Sequence, residues 1–322
     1  MDTADLKQPV ISIIVTARPL SSGNSLETSL RLINGLFLSM RPRQWTKNVL
    51  FVFPAIIFDA GLFDLEAVGR VVVCSLLLIL TASSIYLFND IIDIAADRKH
   101  PEKKNRPIAA GVVPTPVAAF AAAILATIAL AGSAAFDRDL TLILLAYFLL
   151  QIAYSLYIKQ IALLDILAVS AGFVLRILAG GVVVDVELSP WLTACAGLLA
   201  LFLVICKRRQ ELQLLGDAAP TARASFRHYN LPLLDDLLRI VTTCVLITYV
   251  IYTVESPTMI RHGQNFGLLT APIVIYGIFR YLYLIHVEGE GSAPDEVLLT
   301  DRPLQLTLVA AGLTYFVILY VI

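Results

Sequence analysis

Residues 70–97 read Arg-Val-Val-Val-Cys-Ser-Leu-Leu-Leu-Ile-Leu-Thr-Ala-Ser-Ser-Ile-Tyr-Leu-Phe-Asn-Asp-Ile-Ile-Asp-Ile-Ala-Ala-Asp. The first part is apolar and long enough to cross a bilayer. The end carries three carboxylates, Asp90, Asp93 and Asp97. Carboxylates in or near hydrocarbon are costly and are rarely placed there without a partner. At i, i+3 and i+7 on one helix the three fall within about 60° of one another. Such a face repels itself unless a cation joins it. Oxygen-only ligands suit Mg²⁺, with Mn²⁺ a substitute, held by carboxylates together with substrate phosphates. The plainer alternative is a solvated helix end just outside the lipid.

The residues that follow favour the metal reading. Arg98, Lys99, His100, Lys103, Lys104, Asn105 and Arg106 lead to Pro107. A carboxylate face beside a cationic loop suits a metal–diphosphate ligand, with the metal on the acids and the phosphate oxygens on the bases.

The whole chain of 322 residues is 58% hydrophobic and 15% charged. A soluble domain carries nearer a quarter charged residues. Nine spans are expected, at about 46–63, 70–92, 115–135, 139–158, 162–184, 191–206, 237–254, 267–285 and 305–322. Residues 1–24 read as a disordered tail, 26–40 as an interfacial helix, and 25–322 as a single integral membrane domain. Cys74, Cys195, Cys206 and Cys244 show no paired spacing and read as small buried hydrophobes. The four histidines have no metal spacing.

Positive charge fixes an expected orientation. With the N-terminus inside, the inner side collects all 24 lysines and arginines except Arg70, Arg138, Arg261 and the intramembrane Arg176. The bias places the N-terminus in the cytoplasm and the C-terminus outside. The acids and their basic loop then face the cytoplasm.

Further polar clusters stand at the same side. Arg41-Pro-Arg-Gln-Trp-Thr-Lys-Asn48 precedes the first span, with Arg41, Gln44 and Lys47 as candidate ligands and Trp45 as a belt residue. Tyr154 and Lys159 precede Asp165 across a short turn, and Arg176 lies three turns further on. An intramembrane arginine is a functional candidate, or a structural partner of Asp165 or a helix carbonyl. Lys207-Arg-Arg209 either holds a lipid phosphate or marks a membrane boundary. The loop 286–303 is acidic and reads as a lid, a ribose contact or a plain connector. No Walker loop, hydrolase triad or nucleic-acid motif is present. Midplane charges also occur in transporters, but here the polar groups cluster at one face, as an interfacial enzyme requires.

Asn89-Asp-x-x-Asp-x-x-x-Asp97, Arg41-Pro-x-x-Trp-x-Lys47, and Tyr154 with Lys159 and Asp165 resemble the UbiA superfamily of intramembrane prenyltransferases, from about residue 38 onward. The resemblance implies an all-α membrane fold, nine transmembrane helices in a UbiA-like bundle with a cytoplasm-facing active-site cavity. That superfamily usually carries a second aspartate-rich motif after its sixth span. Here the loop begins Lys207-Arg-Arg209, with Glu211 and Asp217 as its nearby acids.

The branch of decaprenyl-phosphate phosphoribosyltransferases is similar in Arg41–Asn48, Ile177-Leu-Ala-Gly-Gly181, Lys207–Arg209 and Asp295-Glu-Val-Leu-Leu-Thr-Asp-Arg-Pro303. It implies phosphoribosyl pyrophosphate as donor, a polyprenyl phosphate as acceptor, and the bacterial inner membrane as location. It further implies Mg²⁺ on Asp90, Asp93 and Asp97, with Asn89, Arg98, Lys103, Lys104 and Arg106 near the leaving pyrophosphate. Lys47, Lys159 and Arg176 would orient one phosphate, and Lys207 and Arg208 that of the lipid. Alternatives are prenyl transfer to a small acceptor and non-catalytic lipid-phosphate carriage. Homo-oligomerisation is left open, and no nucleic-acid partner is expected.

Overall fold

A computed structural model describes residues 25–58, 62–99, 103–261, 264–289, 297 and 300–322. The expected disordered tail, 1–24, lies outside the described residues, as does most of the 290–299 stretch. Among the described residues the regular structure is helical apart from one antiparallel pair of two-residue strands, Ile260–Arg261 with Gln264–Asn265.

Helix α1, Ser25–Ser39, matches the expected interfacial segment. Leu32, Leu36 and Met40 pack on Leu87, Ile108 and Val113, while Leu30, Ile33, Phe37 and Leu38 stay exposed. An apolar stripe left uncovered suits a helix lying at a lipid surface.

The expected first span, 46–63, is broken. It forms α2, Trp45–Val52, and α3, Pro54–Phe58, on either side of Phe53. Pro54 explains the break, because it has no N–H to donate and its ring crowds the preceding turn. The chain stays close to the bundle here because Gly180 has no side chain. A Cβ at Gly180 would collide with the Val52 carbonyl oxygen.

Among the described residues, the other eight expected spans appear as eight helices long and apolar enough to cross a membrane. They are α4 (Leu65–Ile92), α6 (Thr115–Phe136), α7 (Arg138–Leu156), α8 (Leu164–Val183), α9 (Pro190–Leu215), α11 (Leu231–Glu255), α12 (Ala271–Tyr283, continued by a π turn to Glu288) and α13 (Arg302–Phe316, continued to Val321). Two short helices, α5 (Ile94–Asp97) and α10 (Ala219–Ala222), lie in loops. Side-chain caps start several helices: Asp64 on α4, Asp137 on α7, Asn230 on α11 and Asp301 on α13.

The two largest apolar clusters of the described residues lie in different parts of the bundle. One joins α2, α3, α4, α7 and α8 through Val52, Ile56, Leu78, Leu144 and Val183. The other joins α8, α9, α11 and α12 through Ile166, Phe202, Leu234 and Ile278. Large side chains left exposed on the outer helices, among them Phe120, Leu142 and Leu306, form a lipid-facing surface.

Helix α4 has 28 residues and α9 has 26. At 1.5 Å per residue each approaches ~40 Å, more than the ~30 Å hydrocarbon core. Their last turns therefore project past the apolar slab. The C-terminal ends of α4, α7 and α9 meet the N-terminal ends of α2 and α8 at one end of the bundle. That end carries the polar side chains.

Candidate functional site

Helix α4 stops at Ile92, and Asp93 leaves helical geometry at φ −88°, ψ 5°. The expected single face of three carboxylates is thereby divided. Asp90 and Asp97, both buried, share Arg106, whose Nη1 lies 3.1 Å from Asp90 Oδ1 and 2.7 Å from Asp97 Oδ2. Asp93 turns to the opposite neighbour and accepts from Lys159 Nζ at 2.7 Å. Lys159 thus meets Asp93, not the Asp165 that follows it in sequence.

Arg41 completes the acid half. Its Nη2 donates to Asp90 Oδ1 at 2.6 Å, and its guanidinium lies 4.7 Å from the Tyr86 ring centroid. Tyr86 donates in turn to Gln44 Oε1 at 3.0 Å. Arg41 holds a left-handed backbone, φ 55° and ψ 62°. For a non-glycine residue that conformation costs on the order of 1–2 kcal/mol, and such strain concentrates at functional sites. Trp45 anchors the same turn by donating to the Met40 carbonyl and the Ser83 hydroxyl, each at 3.2 Å.

The basic loop folds back over these groups. Arg98 donates to the Ala109 carbonyl at 3.0 Å and so shapes the loop. Lys103 is half-buried, and burial, with the nearby Arg106 charge, pushes its ammonium below the usual lysine range. Lys104 is exposed, and Asn89 is half-buried beside Asp90.

A second polar cluster faces the first. Asp165 is fully buried and accepts from Arg208 Nε at 3.1 Å, Tyr229 Oη at 2.6 Å and Ser225 Oγ at 3.4 Å. Arg208 also reaches Glu211 Oε2 at 2.8 Å. Arg223 Nη1 lies 3.8 Å from Asp165 Oδ2 and donates to the Tyr154 hydroxyl at 2.9 Å. Burial and the Asp165 contact push the Tyr229 hydroxyl above its usual range. Lys207 is exposed at this edge, within reach of the charges of Glu211, Arg208, Lys47 and Arg223. Lys103 in turn feels Asp97 and Arg106 on one side and Arg223 and Glu211 on the other. The two clusters therefore lie within electrostatic reach of each other at one end of the bundle.

Arg176 lies elsewhere, deeper along α8. It donates to Asn48 Oδ1 at 2.8 Å, the Gly172 carbonyl at 2.8 Å and the Tyr147 hydroxyl at 2.6 Å, and stacks on Tyr147 and Phe173. It does not meet Asp165, one of the partners open to it from sequence. Of the basic run, which lies within the last turns of α9 and not in a loop after it, Arg209 pairs with Asp235 at 2.5 Å. In the Asp295–Pro303 run, Asp301 caps α13 through Leu304 N and binds Arg280 at 2.6 Å, which holds its carboxyl below the usual range.

Sequence reading missed Arg223, Tyr229, Ser225, Tyr86 and Tyr147 as members of these clusters. Their partners lie tens of residues away, so no local spacing marks them. Arg223 carried one signal, a cation within the long polar loop 207–236.

Among the described residues no three acidic, His or Cys side chains are gathered as a ready-made metal cage. Asp90, Asp93 and Asp97 each engage a cation through one oxygen, and the second oxygen of each has no partner among the described residues. Hard oxygen donors with spare coordination fit a divalent ion that arrives with phosphate oxygens and waters. They do not fit zinc, which prefers His or Cys.

Three relatives share this organisation at the level of sequence or fold. A decaprenyl-phosphate phosphoribosyltransferase of Mycobacterium tuberculosis (strain CDC 1551 / Oshkosh) is 33% identical over 283 residues, 87% of this chain and 92% of its own. One of the same name from Mycolicibacterium smegmatis is 34% identical over 287 residues, 87% of this chain and 90% of its own. A solved UbiA homologue from Archaeoglobus fulgidus, bound to DMAPP and Mg²⁺, superposes with a TM-score of 0.68 at 18% identity, covering 92% of this chain and 100% of that one. Residues 48–298 match the UbiA prenyltransferase family, and the chain belongs to it.

Proposed function

We propose that this protein transfers the 5-phosphoribosyl group of phosphoribosyl pyrophosphate to a polyprenyl phosphate of decaprenyl type, releasing pyrophosphate. The observation that carries this reading is the charge asymmetry between the two clusters. In the first cluster three acids, Asp90, Asp93 and Asp97, face three cations, Arg41, Arg106 and Lys159. In the second, Lys207, Arg208 and Arg223 outnumber Asp165 and Glu211, with Lys47 and Lys103 close by. A prenyl diphosphate and a neutral acceptor need one anion site. A diphosphate donor with an anionic acceptor needs two. The relatives named decaprenyl-phosphate phosphoribosyltransferase, 33–34% identical over most of the chain, support the same reading.

The reaction is displacement at ribose C1. An oxygen of the lipid phosphate forms the new C1–O bond, and the bond from C1 to the pyrophosphate oxygen breaks with its electron pair on pyrophosphate. Asp90, Asp93 and Asp97 would hold Mg²⁺, which neutralises charge on the leaving pyrophosphate. Arg41 and Arg106 orient those carboxylates and stand ready to donate to the diphosphate oxygens. Lys103, Lys104 and Arg98 add positive potential from the loop above. The acceptor phosphate is already ionised near neutral pH, so no general base is required. Charge building at C1 resembles that in other glycosyl transfers. The polar end of the bundle faces the cytoplasm, as the distribution of lysine and arginine supports, and the polyprenyl tail lies along the lipid-facing helices.

The test is turnover of purified protein in detergent or nanodiscs with phosphoribosyl pyrophosphate and Mg²⁺, offering polyprenyl phosphate, polyprenol or an aromatic acceptor with prenyl diphosphate. Product from polyprenyl phosphate alone supports the reading. Prenylated aromatic product overturns it in favour of ordinary prenyl transfer, and exchange of lipid without product overturns it in favour of a carrier.

A further inference from the structure

Arg208 and Arg223 both approach Asp165, but their surroundings differ. Arg208 is 4% exposed and spends its guanidinium on Asp165 and Glu211. Asp165 is itself saturated, with Arg208, Tyr229 and Ser225 around its two oxygens. A guanidinium so enclosed is poorly placed to receive a ligand. Arg223 is more open, with its side chain 26% exposed. It stands on the extended residue between two short helical turns, Ala219–Ala222 and Ala224–His228. The Tyr154 hydroxyl fixes one of its nitrogens from α7 at 2.9 Å, and Asp165 attracts it from 3.8 Å. Its planar fork has five donors, and among the described residues Tyr154 accepts from one of them. It lies within electrostatic range of both Lys103 and Lys207.

We propose that Arg223, aimed by Tyr154 and Asp165, is the residue that binds a phosphate monoester in the cationic cluster, while Arg208 positions it by neutralising Asp165. This rests on the proposed transfer, in which two phosphate monoesters are present. One is the lipid phosphate and the other is the 5-phosphate of the donor. A fork-shaped guanidinium matches either, because two parallel N–H groups meet two phosphate oxygens. Without Arg208, Asp165 would draw Arg223 into a direct pair and withdraw it from the ligand.

The experiment measures binding rather than turnover, so that the site and the reaction fail separately. Phosphoribosyl pyrophosphate, polyprenyl phosphate and polyprenol are each titrated against the full-length protein and Arg223→Gln. Loss of a charged hydrogen bond weakens affinity by about 10-fold or more. The expected result is that loss for one phosphorylated ligand, with the other within about 2-fold and polyprenol unchanged. Loss confined to polyprenyl phosphate assigns the lipid phosphate, and loss confined to phosphoribosyl pyrophosphate assigns the 5-phosphate. Arg223→Lys should recover part of the affinity. Tyr154→Phe keeps every charge and should weaken the same ligand less, which carries the test if Arg223→Gln does not fold. Affinities unchanged for both phosphorylated ligands in the variants that fold would overturn the proposal. Normal binding with no phosphoribosyl transfer by the wild-type protein would instead overturn the reaction.

Discussion

Arg41 reaches across 49 residues of chain to place its Nη2 2.6 Å from the buried Asp90 Oδ1. This contact ties the turn before the first, broken span to the end of α4. It also makes Asp90 the most enclosed of the three carboxylates at the end of α4, with two guanidinium groups on one oxygen.

Asp90→Asn should leave a folded protein with little activity. The amide keeps the shape but removes the charge that Arg41 and Arg106 share and that a divalent ion needs. Disturbing groups around a metal typically costs 10–100-fold, and loss of a carboxylate in this site should cost at least about that. Initial rates beside a melting curve in detergent check this. A variant within a few-fold of wild type would remove Asp90 from the site.

Excess EDTA should abolish turnover, and Mg²⁺ or Mn²⁺ should restore it. Zn²⁺ should restore little, because the cluster offers oxygen donors and, among the described residues, no His or Cys. Rates measured in metal-buffered solution decide the point.

Gly180→Ala should destabilise the bundle. The new Cβ would press on the Val52 carbonyl, a backbone group with no rotamer to yield. Overpacking of this sort costs about 1–3 kcal/mol. Gly312→Ala is the matched control, because nothing lies within 4 Å of its Cβ position. A lower melting temperature for the first alone is the expected outcome.

Asn48→Leu should weaken the fold through Arg176. The amide oxygen is one of three hydrogen-bond acceptors around that buried guanidinium. An unsatisfied buried donor costs about 1–3 kcal/mol, more when charged. Removing Arg176 as well, as Met, should cost less than the two single changes added together, as expected for coupled neighbours. Chemical or thermal denaturation of the three variants tests it.

Much of this was legible in the chain. Apolar length and charge placement marked the eight unbroken spans, because a bilayer imposes one period and one polarity on every crossing. Asp90, Arg41 and Arg106 were visible as unusual charges beside an apolar run. What the sequence hid was pairing. Lys159 and Asp165 flank one short turn, but the Lys159 ammonium binds Asp93, 66 residues back. Arg208 stands in a cationic run open to a lipid phosphate, and its Nε donates to Asp165, 43 residues back. Neither outcome follows from local spacing, since both depend on which helix ends meet. The break at Pro54 was legible in principle, because proline inside a helix removes a donor. Apolar composition alone concealed it.

The central claim is displacement at ribose C1 by the lipid phosphate, and one isotope experiment tests it most directly. Phosphoribosyl pyrophosphate labelled with ¹⁸O in the oxygen joining C1 to the diphosphate is turned over with polyprenyl phosphate and Mg²⁺. Both products are then weighed by mass spectrometry. Cleavage of the C1–O bond predicts that all the label leaves in pyrophosphate and that the phosphoribosyl lipid carries none. Label retained in the lipid product would place the attack at phosphorus and contradict the account.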